Sequence, residues 1–476
     1  MNLAADGRGG GTMWWALALG LALAVRAAVG GEVKQQMRSE VIDASRFVDA
    51  TAPDCGLQRA IDALPPGGTL LLPAGRYVLR RSLMLKSDMT FSGVGPETVL
   101  TVAPALPCTT LAADAAKGAT EVAVVSVADF TPGMQVTVRD QDNNAWNETF
   151  AIITAVEGPR LKLDRPLCFA YAAAKKGQVG NLFPALMAEG QKNLTIQFLR
   201  IIGPETQPPF NRFVLSAIHL VRCENVLITH CTVERWHSDG FSVQGGRHAR
   251  IMENVARGNA GHGFHPGTGL QDSFWSGNLA EGNGAFGLYY CWDNRRTIVS
   301  RNRFLANGTY GVGRLGDGRD QDCLVYDNLC ERNGAAGIHS GQWGDCKLNF
   351  IVGNRVVNNC QKQPGAGILL QKTQQTVVAK NEIVDDQAAP TQVIGVEELA
   401  DGTDRNYICA NVVRGARQAL LIRGKETRAG DAYPGDIPPD RLAVLNDLLQ
   451  REAENWAAWE VQRRVLAPPV PPTGQN

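Results

Sequence analysis

"WSGNLAEGNGAFGLYYCWDNRRTIVSRNRF", residues 275–304, opens and closes on the same pattern, with Asn278 and Asn302 spaced 24 residues apart. The pattern extends both ways. Upstream, "IMENVA" places Asn254 another 24 residues back, and one step earlier "THCTVE" has Cys231 in that position. Downstream, "VYDNLC", "IVGNRV", "VAKNEI" and "ICANVV" carry Asn328, Asn354, Asn381 and Asn411, at steps of 26, 26, 27 and 30 residues. A second register runs beside the first through Phe241, Phe264, Leu288, Val312, Ile338 and Ile368. Two registers with one period mark a repeat architecture. Within a unit, apolar or small residues alternate, as in Ile298, Ser300, Asn302 and Phe304, and period two means strand. No helical pattern joins these short strands, and the Leu pattern of leucine-rich repeats is absent. A unit this long with two or three strands is one coil of a parallel β-helix. Coils then stack about 4.8 Å apart, and repeated Asn side chains lie one above another and hydrogen-bond. The expected coil runs from about residue 45 to 425.

The totals agree with an all-β globular chain. Of 476 residues, 44% are hydrophobic and 20% charged, and the 51 glycines suit a fold with many turns. Lys+Arg and Asp+Glu both number 47, which argues against a nucleic-acid or membrane-surface partner. A monomer is expected. The N-terminus has Arg8, the 13-residue apolar run "MWWALALGLALAV", then Ala27, Ala28 and Gly30. Residues 1–30 therefore read as a secretory signal peptide, too short to span a bilayer, and the mature chain is expected to be secreted or periplasmic. Export permits disulfides. Most of the eleven cysteines fall where a thiol packs inward; one bridge, Cys323 to Cys346, is open to formation.

Residues 106–185 break the repeat. "GATEVAVVSVADFTPGMQVTVRD" and "TFAIITAVEGPRLKLDRPL" alternate like antiparallel strands, so a small β-module is expected there, with the main coil resuming over 186–425. Residues 434–465 have helical spacing after Pro438 and Pro439, and an amphipathic helix there is expected to cap the open end of the stack. Residues 466–476 form a Pro-rich tail read as disordered.

If the second register points inward, the next residue of each strand points out. That column reads Ser242, His265, Tyr289, Gly313, His339 and Leu369. The polar loops after it hold Tyr290, Trp292, Asp293, Arg295, Arg296, Arg314, Asp317, Asp320 and Trp343, and one coil earlier "WHSDGF" holds His237 and Asp239. His265 is expected to be exposed, with an ordinary histidine pKa of about 6.5 suited to proton transfer. His265, Tyr289, Arg314 and His262 are the candidate catalytic set. On a uronate, one of His265 and Tyr289 takes the carbon-5 proton and the other protonates the leaving oxygen, while an Arg offsets the carboxylate. His237, Asp239, Tyr290, Trp292, Arg295, Arg296, Asp317, His339 and Trp343 are candidate substrate-binding residues. His219, His230 and His248 read as structural. No cofactor is implied. Calcium among Asp317, Asp320 and Asp322 is the one metal to consider, and "DGRDQD" lacks EF-hand spacing.

Upstream, "FVDATAPDCGLQRAIDALPPGGTLLLPAGRYVLRRSLML" resembles the entry segment of the pectate-lyase-like superfamily, which implies a right-handed β-helix. The likeness makes residues 40–105 the first coils, with a short helix at about 56–64 capping the apolar end. "GFHPG" is similar to the mannuronan C-5 epimerase signature Tyr-Gly-Phe-Asp-Pro-His. Gly263, Phe264 and Pro266 match it, while His262, His265 and Gly267 stand at its Tyr, Asp and terminal His. "HSDGF" and "GHG" resemble polygalacturonase-type hydrolases at Asp239 and His262, without the paired aspartates of that family. Three readings stay open: a polysaccharide lyase or epimerase, a glycoside hydrolase, and a non-catalytic glycan-binding or surface β-helix.

Overall fold

A computed structural model describes residues 40–141, 147–209 and 215–466, without the side chain of residue 345. The signal segment expected at 1–30 and the tail beyond residue 466 lie outside the described residues. Coil after coil, the chain passes through three parallel sheets of 13, 11 and 11 strands. One coil runs from Phe274–Ser276 in the first sheet to Leu279–Glu281 in the second and Leu288–Tyr289 in the third, then returns to the first at Ile298–Ser300. The coil is a right-handed β-helix. Its interior is a single apolar column in which Phe241, Phe264, Leu288, Val312, Ile338 and Ile368 are all buried.

The repeated Asn residues make the corners. Passing from the first sheet to the second takes two residues. The leading one has positive φ, 54° at Arg301 and 53° at Ala410, and the Asn follows it. Each Asn accepts from the coil before and donates along the stack. Asn278 N–H and Nδ2 donate to Asn302 Oδ1 at 2.8 and 3.0 Å, and Asn302 does the same to Asn328 at 3.0 and 2.9 Å. Asn302 Nδ2 also donates to the Trp275 carbonyl at 2.7 Å. A second ladder, at the corner between the second and third sheets, was not apparent from the sequence. It joins Asn259, Asn283, Asn307, Asn333 and Asn359, and Gln392 takes the last place. Here too the preceding residue has positive φ, as in Gly282 and Ala306.

The short N-terminal helix, Leu57–Ala63, buries Leu57, Ala60 and Ile61 against the first coils. Six antiparallel strands between Cys108 and Gly180 form a module with its own core around Val136, Val138, Ile153 and Leu161. Its insertion leaves the stack unbroken, because Met89 still pairs with Leu194 and Val99 with Arg200.

The C-terminal helix, Pro439–Val465, does not cap the end of the stack. It lies along the outer face of the first sheet. That face is apolar at Phe274, Ile298, Leu324, Phe350 and Val377, and the helix covers it with Leu445 and Leu448. Glu452 with Arg301 at 2.8 Å and Arg463 with Glu253 at 2.7 Å hold it in place. Helical spacing shows that a helix has an apolar stripe, not which surface the stripe meets. No described helix is long and apolar enough to cross a membrane.

All eleven cysteines are free. Cys323 and Cys346 do not pair: their thiols face different carbonyls, those of Asn294 and Gly344.

Replacing Asn302 by Ala strands buried donors and acceptors on both neighbouring coils. It should lower stability by about 1–3 kcal/mol. Replacing Ala306 by Gly relieves a left-handed backbone that Cβ disfavours and should raise stability by roughly 0.5–1 kcal/mol. Urea midpoints of the two variants and the parent check both signs.

Candidate functional site

Strand pairing sets the outward column of the third sheet as Met187, His219, Ser242 and His265, continuing through Tyr289 and Gly313 to His339 and Leu369. The register from Ser242 to Leu369 is the one the period implied. His219, read from the sequence as structural, belongs to this column two coils before His265. Two residues further along the strands, Gln244, Gly267 and Cys291 form a second outward set.

Facing outward does not leave His265 exposed, because its relative accessibility is only 5%. Tyr289 meets its ring edge-on at 4.8 Å and His262 at 5.7 Å, and Gln244 Nε2 lies 3.3 Å from its Nε2. Its Nδ1 is 2.8 Å from Asp239 Oδ2. Asp239 is fully buried, and its other oxygen accepts the His262 N–H at 2.7 Å. Gly261 is needed here, since a Cβ would sit 2.2 Å from that oxygen. Burial opposes a charge on His265, but the Asp239 carboxylate and a hydrogen bond with Cys291 outweigh it, raising its pKa to about 9. The expected ordinary value is thus corrected. Cys291, absent from the sequence-derived site, is half-buried, with its Sγ 3.0 Å from Thr268 Oγ1.

His262 stacks on Tyr289 at 4.5 Å with the rings 7° apart. Burial pulls its pKa down to about 4. Burial, with the nearby Cys291 charge, pushes the Tyr289 phenol up, against the pull of Arg314. The Arg314 guanidinium lies 5.6 Å from the Tyr289 ring and 5.6 Å from the Trp343 ring. It pairs with Asp317 at 3.4 Å. His265, Tyr289, Arg314 and His262 therefore do converge, and Trp343 stands beside them, 62% exposed.

Several expected ligand contacts are corrected. Asp239 orients His265 from beneath. Asp317 is buried, holding Arg314 and the Trp343 N–H at 2.8 Å, and burial raises its pKa. His237 is buried against Trp236 at 4.8 Å, and Tyr290 points into the core. His339 is buried against Tyr310 at 4.5 Å. Arg296 is held by Asp272 at 2.7 Å, and Asp272 also binds Arg451 of the C-terminal helix, away from the cluster. Arg295 pairs with Asp293 at 3.0 Å. Trp292 is exposed on the loop after Tyr289. The three aspartates considered for calcium are engaged separately: Asp320 accepts the Asn294 N–H at 2.6 Å and Asp322 pairs with Arg441 at 3.2 Å. Among the described residues no three His, Cys, Asp or Glu side chains converge as a metal site.

Beside the cluster, a cavity of about 810 Å³ lies between the inserted module and the coil. Phe150 and Arg165 line it from the module, and Met84, Met187 and His219 line it from the outward column.

Residues 216–398 match the family model described as right handed beta helix region. The match contains every member of the cluster. No curated protein sequence matches the chain. Among solved structures, it is similar to the A-modules of the Azotobacter vinelandii mannuronan C-5 epimerases AlgE4 and AlgE6. Identities are 17% and 15%, coverage is 82% of this chain and 100% and 99% of theirs, and TM-scores are 0.51 and 0.50. At such identity the likeness is one of fold.

The site sets how stability depends on pH. His219, His262 and His339 have their pKa lowered to about 4 and His237 to about 3, burial being the main cause in each. Below about pH 6.5 the unfolded chain takes up protons that these four refuse when folded, so stability should fall on acidification from pH 6.5 towards 4. His265 acts oppositely: its contribution is complete below 6.5 and is lost as pH rises through about 9. Urea midpoints across pH 4–10 should fall on both sides, and Asp239→Asn should flatten the alkaline side only.

Proposed function

We propose that the chain is a polysaccharide-modifying enzyme that abstracts the carbon-5 proton of a uronate residue, as a lyase or an epimerase. The observation that carries this reading is the Asp239–His265 pair set against Tyr289, with Arg314 over the same ring. In its unprotonated form, His265 is an oriented base, its Nδ1 held by Asp239 and its Nε2, beside the Gln244 amide, the nitrogen that exchanges a proton with substrate. Tyr289 keeps its proton and is suited to donate it. Arg314, between two aromatic rings, is placed to offset a substrate carboxylate and so acidify the adjacent C–H. Trp292 and Trp343 offer exposed faces for sugar rings. The cavity between module and coil extends the outward column, as a long chain substrate requires. The A-modules that share the fold are named as epimerases of mannuronan, which supports a uronate substrate.

The hydrolase reading lacks its chemistry here. It needs two carboxylates flanking a scissile bond, and Asp239, Asp317 and Asp320 are each buried and hydrogen-bonded within the protein. For location, we propose export directed by residues 1–30; amino-terminal sequencing of the mature chain tests it.

The reaction is tested by incubating the protein with a panel of polyuronates in D2O. Deuterium should enter at carbon 5, and unsaturated, ultraviolet-absorbing ends should appear if elimination follows. Because His265 must lose a proton to act as base, kcat/KM should climb as pH rises towards about 9, and Asp239→Asn should move that rise to lower pH. His265→Gln and Tyr289→Phe should each cost about 100-fold or more. Deuterium absent from carbon 5 across the panel, or full turnover by His265→Gln, overturns the reading.

A further inference from the structure

Cys291 has no part in proton abstraction at carbon 5, yet it stands within the cluster, half-buried. Tyr289 points outward, Tyr290 inward, and Cys291 outward again, which brings its sulfur beside the His265 ring. His265 is then flanked on both sides. Its Nδ1 is 2.8 Å from the buried Asp239 carboxylate, and on the next coil Cys291, whose N–H donates to the Pro266 carbonyl at 3.0 Å, has its sulfur interacting with the imidazole. Thr268 Oγ1 lies 3.0 Å from the sulfur. A nucleophile, a neighbouring base and a third group that orients the base are the parts of covalent acyl-transfer catalysis.

We infer that Cys291, His265 and Asp239 form a thiol–imidazole–carboxylate array whose sulfur is a nucleophile, and that this site transfers acyl groups from ester substrates. This reaction is separate from proton abstraction and does not rest on it.

The electrostatics agree with the geometry. Burial alone would raise the Cys291 pKa, but His265 reverses this and Thr268 adds to the reversal, so the thiol ionises more readily than usual. Every other cysteine with a resolved shift moves upward through burial, Cys231, Cys346 and Cys360 to about 12. Cys291 is also half-buried where most of the cysteines are enclosed.

The step balances without any added reagent. The thiolate attacks the ester carbonyl carbon, and the carbon–oxygen bond to the alcohol breaks. The His265 imidazolium gives its Nε2 proton to the departing alkoxide, which leaves a thioester on Cys291. Water then attacks the thioester while His265 accepts its proton. The carboxylic acid departs, and the imidazolium–thiolate pair is restored. The Thr268 hydroxyl, 3.0 Å from the sulfur, is the nearest side-chain donor to the oxyanion, since the Gln244 amide already donates to Ser242 Oγ at 2.7 Å. The acyl group arrives as an ester of a sugar hydroxyl or of another alcohol.

Two measurements on the full chain test the array. The first is alkylation by iodoacetamide at pH 7, mapped by peptide mass spectrometry, with the exposed Cys168 as internal reference. The thiolate is the form that alkylates, so Cys291, beside the His265 imidazole, should be labelled about tenfold faster than Cys168 or more. Asp239→Asn and His265→Gln should bring it down to the Cys168 rate while far-ultraviolet circular dichroism shows the coil intact. The second is hydrolysis of 4-nitrophenyl acetate. It should begin with a burst stoichiometric with protein, leave an acetyl group on the Cys291 peptide, and be lost in Cys291→Ser. Equal labelling of Cys291 and Cys168 in the unaltered protein overturns the proposal, as does ester hydrolysis undiminished in Cys291→Ser. Neither assay contains a uronate, so either can succeed where the polyuronate panel fails, and the reverse.

Discussion

The side-chain amide of asparagine, placed just after a left-handed backbone residue, is the interaction on which this structure depends. A coil of about 24 residues must turn three corners while leaving few backbone groups unpaired. Strand pairing satisfies the groups along the sheets. At the corners the peptides rotate out of register with their neighbours, and an Asn side chain restores the missing bonds: Oδ1 takes the N–H of the coil before, and Nδ2 returns a bond to a carbonyl. The same side chain occupying the same corner in every coil keeps the coils stacked in register. Columns on the outer surface are a consequence of that register. Ser242, His265 and Tyr289 stand in line because Asn254, Asn278 and Asn302 do.

The site is built from columns rather than from one loop. Asp239 comes from one coil, His262 and His265 from the next, Tyr289 and Cys291 from the one after, and Arg314 from the one beyond. Each coil contributes one or two side chains, and packing between neighbours then removes them from water. Burial drives His219, His262 and His339 towards neutrality, whereas a single carboxylate beneath His265 keeps it charged. Four imidazoles on or beside one sheet thus have opposite proton preferences, set by whether a buried anion lies within reach.

Much of this was legible in the sequence. Fixed spacing gave away the coil, the inward column and the outward neighbours of His265, because a strand has only two faces and the period places each residue on one. Four things were not legible. The burial of His265 comes from rings on adjacent coils, and a one-dimensional pattern does not show how wide those rings lie. Cys291 follows the same alternation as Tyr289, but the strand ends at Tyr289 and a polar loop begins there, so the pattern does not extend the sheet face to it. The surface under the C-terminal helix is the outer face of the first sheet, whose apolar Phe274, Ile298 and Leu324 cannot be told from strand interior by sequence pattern. The second ladder, from Asn259 to Asn359, lies only five residues after the first and shares its period, so spacing alone does not separate it as a second corner.

The helix lying along the first sheet also changes how the molecule comes apart. In a bare solenoid each coil touches only its neighbours, so the ends can fray independently and opening spreads one coil at a time. Here Arg441 is tied to Asp322, Glu452 to Arg301 and Arg463 to Glu253, which couples coils that share no strand pairing. Loosening any one of them disturbs contacts along the whole helix. Amide protons in the coils between Glu253 and Asp322, which include the cluster around His265, should therefore exchange as one cooperative block, and those of the last coils around Val412, which no helix ion pair ties to the others, should exchange earlier.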